Sequence, residues 1–373
     1  MIPTFRMDER VKLVAAHDPR PEALAEFERD FGGRGYNSSG DLFADPDVEA
    51  IYIASPHQHH CEHALAAARN GKHVLVEKPM AVAIDDARRM TEAFRVAGLH
   101  LVVGPCHSFD APVLEARRMI ENGDIGRVRM LHALNCTDFL YRPRRPEELD
   151  TEAGGGVVFS QGVHQVDIAR LLCGEEATHV SAMTGAWDPD RPTEGAYTAT
   201  IKFESGAFAS LSYSGYGRFD SDVWQDWIGE LGQTKSVRDY GRARAALAQV
   251  SSSEQETDLK MTRAYNAANK SSPAAQFHEH FGPIIVFGEH GDLRISPKGV
   301  HVYTDNEQHF VASELDVPRD GVVAGLYGAI RSHSPPPQSG EWGLASLEIC
   351  HAILESAKSF EPVTLQHQIG LKS

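Results

Sequence analysis

Cysteine is scarce in this chain. Five residues, Cys61, Cys106, Cys136, Cys173 and Cys350, are spread over 373 positions, odd in number. No two form a CxxC pair and no spacing builds a disulfide framework, which argues against a disulfide-stapled fold and suits a reducing compartment. Positive charge is short as well: 36 Lys plus Arg stand against 52 Asp plus Glu, a net charge of −16. Such a field repels a phosphate backbone and an anionic bilayer, so neither nucleic acid nor membrane is an expected partner. No apolar run is long enough to span a bilayer, and MIPTFRMDER does not read as a secretory signal. A cytoplasmic location is expected. Internal repeats are missing too.

What is present is ordinary globular composition, 42% hydrophobic and 24% charged, at a length that implies two domains. In the first hundred residues, continuous apolar runs alternate with helical patterns. VKLVAAH (11–17), AIYIAS (50–55), HVLVE (73–77) and LHLVVG (99–104) read as strands buried on both faces. PEALAEFERDF (21–31), HHCEHALAAARNG (59–71) and IDDARRMTEAFRVAG (84–98) read as helices. This alternation predicts an α/β domain with a parallel, doubly wound, Rossmann-type sheet over residues 1–107. Residues 108–373 differ. A helix at 111–122 is followed by RVRMLHALNC (127–136), HVSAMTGAW (179–187), YTATIKFESGAFASLSYSGYG (197–217) and GVHVYTD (299–305). Several of these alternate in polarity, as expected of a mostly antiparallel open sheet in an α+β domain. Residues 233–275 read as a mobile or helical insertion, and 341–357 as a final helix.

A parallel sheet offers a ligand site outside the carboxyl ends of its strands. Glu77-Lys78-Pro79 stands at such an end, where a partly desolvated lysine is able to trade a proton with a substrate hydroxyl. Ser55-Pro56 ends a second strand and Asp18-Pro19 a third, so polar groups gather along one edge. A second cluster is EAGGGVVFSQGVHQVDIARLLCG (152–174). Its glycines allow close backbone approach, and His164 falls near the start of the helix that follows. A packed, merely structural histidine fits that position equally well.

Together the two clusters resemble the Gfo/Idh/MocA oxidoreductase family, on Glu77, Lys78, Pro79, Gly154, Gly155, Gly156, His164 and Asp167, supported by Ser55, Pro56, His60 and the Gly71–Val74 stretch. The resemblance runs from about Val11 to the final helix. It implies NAD or NADP as cofactor, Lys78 and His164 as the catalytic acid/base residues, and a cofactor site formed by Asp18, Arg20, Ser55, Pro56, His60, Glu77, Lys78 and Pro79. Asp18 fits the acidic residue that binds the adenosine ribose and favours NAD, while the nearby Arg20 keeps NADP open. The family often carries an aspartate four residues before the histidine, where this chain has Ser160. The segments at 137–150, 184–198 and 213–222 are similar to the branch that oxidises phthalate dihydrodiols to dihydroxyphthalates. In that branch Arg142 and Arg144, with Gln161 and His164, are expected to bind the substrate, the guanidinium groups taking its carboxylates. The resemblance also admits sugar or inositol oxidation, NAD-assisted glycoside hydrolysis, or a non-catalytic binding role. It implies a homodimer or homotetramer formed through an uncovered sheet face.

Two short patterns mislead. His59, Glu62 and His63 match H-x-x-E-H, but on a helix after a parallel strand, so no metal is expected. GRGYNS (33–38) imitates a dinucleotide fingerprint yet follows a helix. The genuine strand–GxGxxG–helix opening is not found before VKLVAAH, and MIPTFRM reads as the end of a first helix. The expectation is that on the order of 15–25 further residues supply that strand and turn in the working protein. Without them weak NAD binding is expected, with a gap or a distorted pairing between the strands at 11–17 and 50–55.

Overall fold

The computed structural model describes residues 1–371 apart from 105, 263–264 and 266–274. Two compact units interleave along the chain. The first holds Met1–Pro105, Asp258–Ser272 and Arg319–Leu344; the second holds Cys106–Thr257, Pro273–Pro318 and Ala345–Ser373.

The first unit runs α1 (Ile2–Met7), β1 (Ala15–His17), α2 (Pro21–Phe31), β2 (Arg34–Tyr36), α3 (Ser39–Ala44), β3 (Ala50–Ile53), α4 (His60–Arg69), β4 (His73–Val76), α5 (Ile84–Ala97) and β5 (Leu101–Val103). Local chemistry sets these limits. Pro21 opens α2 with its φ already helical, and Gly32 ends it at φ 64°. Asp85 and Asp86 sit on the positive end of α5, and Gly98 closes it at φ 65°. All strand pairs are parallel, in two separate ladders, β1-β2 and β3-β4-β5. The expected break between the strand at 11–17 and the strand at 50–55 is therefore present among the described residues. VKLVAAH contributes only Ala15–His17 as strand. GRGYNS supplies β2, paired with β1, instead of a phosphate turn.

The second unit contains α6 (Ala111–Asn122), β6 (Val128–Cys136), α7 (Val163–Cys173), β7 (Ala177–Gly185), β8 (Ala196–Phe203) and β9 (Phe208–Ser214). After α8 (Arg242–Leu247) and α9 (Ser253–Met261) come β10 (Ile284–Gly288), β11 (Gly291–Ser296), β12 (Gly299–Thr304) and β13 (Gln308–Ala312). Then α10 (Asp320–Ser332) belongs to the first unit, and α11 (Gly340–Ser359) and β14 (Val363–Thr364) close the chain. The region expected to be mobile or helical thus carries two α-helices among its described residues; 263–264 and 266–274 within it lie outside them. Nine strands form one sheet in the order β13-β12-β11-β10-β6-β9-β8-β7-β14, antiparallel except for β6 with β9. Along β8, Tyr197, Ala199, Ile201 and Phe203 are buried while Thr198, Thr200 and Lys202 are exposed. Helices α6 and α7 cover the buried face. No helix among the described residues is long and apolar enough to cross a membrane.

Candidate active site

In the first unit, His60 ties two strand ends together. Its Nε2 lies 2.9 Å from the Ser55 carbonyl after β3, and its Nδ1 lies 3.0 Å from the Pro79 carbonyl after β4. The ring is almost completely buried, and that burial pushes its pKa down to about 4, so it is neutral at physiological pH. Glu77 accepts a hydrogen bond from the Tyr52 hydroxyl of β3. Burial, and then the Glu77 charge, raise Tyr52 well above an ordinary phenol. Lys78 is half-buried between these two anchored neighbours, and the Lys78–Pro79 bond is cis. Ser55 Oγ is 3.0 Å from His63 Nδ1. At the end of β1, Asp18 receives both Nε and Nη2 of Arg20 at 2.9 and 2.8 Å, as well as the Arg20 backbone N–H. Burial raises the Asp18 carboxyl, but the Arg20 bonds outweigh it and leave the group ionised below its ordinary range. A carboxylate beside a strand end, with a guanidinium laid across it, suits a ribose hydroxyl of a dinucleotide and tolerates a nearby phosphate. The donor set therefore fits NAD or NADP.

In the second unit, the glycine loop is shaped by one buried acid. Gly154 and Gly156 have φ of 82° and 79°, and a Cβ on Gly156 would sit 2.0 Å from Glu194 Oε1. Glu194 accepts from Thr151, from Thr193 at 3.1 Å and from the Val158 backbone N–H at 3.0 Å. Burial raises its carboxyl pKa. That anchor launches a π-helical segment, Val158–Gly162, which runs into α7. Ser160, at the position where the family often has aspartate, donates back to the Gly156 carbonyl. Gln161 Nε2 donates to the Ser160 carbonyl at 2.9 Å, and its own carbonyl oxygen is 3.5 Å from the Tyr213 hydroxyl.

His164 lies in the first turn of α7, buried among aromatic rings. Its ring centroid is 4.7 Å from that of His107 and 4.9 Å from that of Phe281. His107 Nδ1 in turn meets Asp110 Oδ2 at 2.7 Å. Ser108, next to His107, donates to Asp167 on α7, three residues after His164. The two histidine-bearing segments are thereby pinned to each other. Arg170, completely buried one turn further, donates to Ser346 and to the Ile369 carbonyl; burial brings its pKa down to about 10. His107, Asp110 and Glu279 place one ligand atom each within 4.8 Å of one another. Sequence reasoning picked out His164 and Asp167 but passed over His107, Asp110, Glu279 and Phe281. A usable signal existed: His107 and Asp110 follow directly on a parallel strand, where ligand groups are expected.

The arginines of residues 142–145 have internal partners. Arg142 donates through Nη1 to Glu230 at 2.9 Å and through Nε to Asp138 at 3.2 Å. Arg144 donates to the Phe139 carbonyl, and its guanidinium lies 3.5 Å over the Phe139 ring, while its backbone N–H donates to Glu256. Arg145 pairs with Glu147 and Glu148. These partners, with Glu148 3.9 Å from Arg144 Nη1, give the three cations a local reason without a ligand.

Two family descriptions match the chain: the NAD-binding Rossmann fold of the GFO/IDH/MocA oxidoreductases over residues 1–105, and the GFO/IDH/MocA C-terminal domain over residues 113–234. Among curated proteins, the chain is 43% identical over 363 residues to a 1-carboxy-3-chloro-3,4-dihydroxycyclohexa-1,5-diene dehydrogenase of Comamonas testosteroni, covering 96% of this chain and 91% of that protein. It is 32% identical over 240 residues to a myo-inositol 2-dehydrogenase of Thermotoga maritima, covering 61% of this chain and 69% of the other. Among solved structures, a protein of Bordetella bronchiseptica RB50 described as a dehydrogenase superposes with a TM-score of 0.93 at 40% identity, covering 98% and 96% of the two chains.

Proposed function

We infer the reaction from a premise the comparisons supply: the chain belongs to the Gfo/Idh/MocA family of NAD(P)-dependent oxidoreductases. We propose that its substrate is a cyclohexadiene cis-diol carrying carboxylate, with phthalate 4,5-dihydrodiol as the specific candidate and 4,5-dihydroxyphthalate as product. The observation that carries this reading is the 43% identity, over 96% of the chain, to a dehydrogenase named for a carboxylated dihydroxycyclohexadiene.

Bound NAD(P)⁺ supplies the hydride acceptor. Asp18 and Arg20 are assigned to its adenosine ribose, and Ser55, Pro56, His60, Glu77 and Pro79 to the strand ends it lies against. Lys78 and His164 are assigned to the proton of the reacting hydroxyl. Glu77, held by Tyr52, fixes the backbone on one side of Lys78, and His60 fixes Pro79 on the other. Lysine and histidine both cycle between charged and neutral forms, as a proton acceptor must. The carboxylates of the diol are assigned to Arg142 and Arg144, with Gln161 beside His164. Held by internal partners, these guanidinium groups are preorganised, although the acids around them weaken their net attraction for an anion.

A second reading, oxidation of an inositol or sugar, is favoured by the likeness to the myo-inositol dehydrogenase, which spans 61% of the chain. Incubation with NAD⁺ or NADP⁺ and a panel of carboxylated dihydrodiols, inositols and sugars separates the two by the rate of reduced nicotinamide formation. Turnover confined to inositols or sugars would replace the diol reading.

A further inference from the structure

We propose that Tyr265 is a specificity-determining residue of the cofactor site, holding Arg20 on Asp18 and so favouring NAD over NADP. The inference rests on the assignment of Asp18 and Arg20 to the adenosine ribose and deepens it. Tyr265 lies 245 residues after Arg20 in the chain, yet it belongs to the same compact unit. It runs along α2. Its backbone carbonyl accepts from Arg20 Nη1 at 3.4 Å, just ahead of the first helical residue, Pro21. Its hydroxyl donates to Asp30 Oδ2 at 2.9 Å, one residue before the helix ends. Asp30 is itself anchored: Arg6 Nη2 donates to the same oxygen at 2.5 Å, and the Arg6 guanidinium lies 4.8 Å over the Phe31 ring. Burial first, then the Asp30 hydrogen bond and charge, push the Tyr265 hydroxyl up to about 12, so it stays a donor at neutral pH.

All three guanidinium nitrogens of Arg20 thereby face an oxygen. Nε and Nη2 donate to Asp18 at 2.9 and 2.8 Å, and Nη1 donates to Tyr265. The Asp18 hydrogen bond raises Arg20 above its ordinary range against a smaller effect of burial, and the charges of Asp18 and Glu22 add to that. The two cofactors differ at one group, a ribose 2′-hydroxyl in NAD and a 2′-phosphate in NADP. A hydroxyl donates to the Asp18 carboxylate and leaves the Asp18–Arg20 pair as it stands. A phosphate needs a cation turned towards it and a carboxylate turned away. Asp18 opposes it more strongly, through like-charge repulsion. Tyr265 adds to that by occupying Nη1, the nitrogen a phosphate could otherwise reach while Asp18 kept the other two. The hydroxyl–Asp30 bond keeps the carbonyl in that place.

The test is isothermal titration of NADH and of NADPH into the native protein, Y265A, Y265F, D30A and D18N, with thermal unfolding as a check that each variant is folded. The native protein should bind NADH at least about tenfold more tightly than NADPH. In Y265A the Kd for NADPH should fall by about fivefold while that for NADH stays within about twofold, the effect expected of one long hydrogen bond to a charged group. Y265F and D30A, which release the hydroxyl, should each shift the ratio less and in the same direction. Y265F combined with D30A should shift it no further than either alone, because both act through one contact. A ratio unchanged in both Tyr265 variants would overturn the proposal. So would equal weakening of both cofactors, as a merely structural role would give, additive shifts from Y265F and D30A, or a native protein that binds both cofactors alike. D18N separates the proposal from the assignment beneath it. A shift towards NADPH in D18N with none in the Tyr265 variants removes Tyr265 alone, whereas no shift in D18N removes the assignment and the proposal together.

Discussion

Replacing Glu230 by glutamine should lower the stability of the second unit by about 3 kcal/mol at neutral pH. Glu230 is a partly buried carboxylate that receives Arg142 Nη1 at 2.9 Å and Asn135 Nδ2 at 3.2 Å. Burial alone would raise its pKa, but the Arg142 charge and hydrogen bond overcome that and hold it at about 2 against an ordinary 4.5. At roughly 1.4 kcal/mol per pH unit, that difference is worth about 3 kcal/mol. Because the folded value is depressed, the contribution is fully present above pH 4.5 and is lost as pH falls from there towards 2. Trp224 and Trp227 lie on the chain just before Glu230, so urea titrations followed by tryptophan fluorescence report on this region. A chain with two compact units need not unfold in one step, so the quantity to read is the gap between native and E230Q proteins. That gap should be about 3 kcal/mol at pH 7 and should close as the pH approaches 2. A gap under about 0.5 kcal/mol at pH 7, or one independent of pH, would refute the reasoning. The same pair bears on the carboxylate clamp. If Arg142 is mainly the partner of Glu230, R142A should destabilise by about 3–5 kcal/mol. An R142A protein of native stability with a raised KM for the carboxylated diol would show instead that Arg142 serves the substrate.

Other outcomes follow from the same geometry. K78A should lower kcat by on the order of 10²-fold or more while changing NAD affinity little, as isothermal titration and steady-state kinetics would show. D18N frees Arg20 from its carboxylate and should shift preference towards NADP by about tenfold, measured as the ratio of kcat/KM for the two cofactors. His60 has a folded pKa of about 4 below its ordinary 6.5, so its contribution to stability is complete above pH 6.5 and falls as pH drops towards 4. H60N should flatten that part of the stability profile. The uncovered face of the nine-stranded sheet carries Met183, Phe208 and Phe310, which strand register places on one side. We therefore expect a dimer or tetramer by light scattering, and a monomer at micromolar concentration would count against an interface there.

Features written locally in the chain were the legible ones. The strand ends at Ser55 and Lys78 announce themselves because an apolar run stops at proline and charge. The limits of α2 and α5 follow from Pro21, Gly32 and Gly98 within a residue. Alternation exposed β8, whose two faces meet different surroundings. Features made by distant partners were not legible. Glu230, on the Arg142 guanidinium, and Glu256, on the Arg144 backbone N–H, lie 88 and 112 residues away in sequence, so three arginines look like a ligand site when read alone. β10 is a short continuous run, IIVFG, flanked by β11 and β6, and nothing in its period separates it from a buried helix turn. The π-helical segment before α7 depends on Glu194 reaching back across 36 residues to the Val158 N–H. His107 and Asp110 fell where one domain texture gives way to the next; their place after a strand was the one local signal, and packing against α7 shows what they adjoin.

The most direct measurement is reduced-nicotinamide formation when the protein meets NAD⁺ and phthalate 4,5-dihydrodiol, run beside myo-inositol and glucose, with K78A and an H164N variant as controls. The account predicts turnover of the dihydrodiol at a kcat/KM at least about 100-fold above that of inositol or glucose, and loss of that turnover in both variants. Equal or greater turnover of inositol or glucose, or full activity in K78A and H164N, would contradict it.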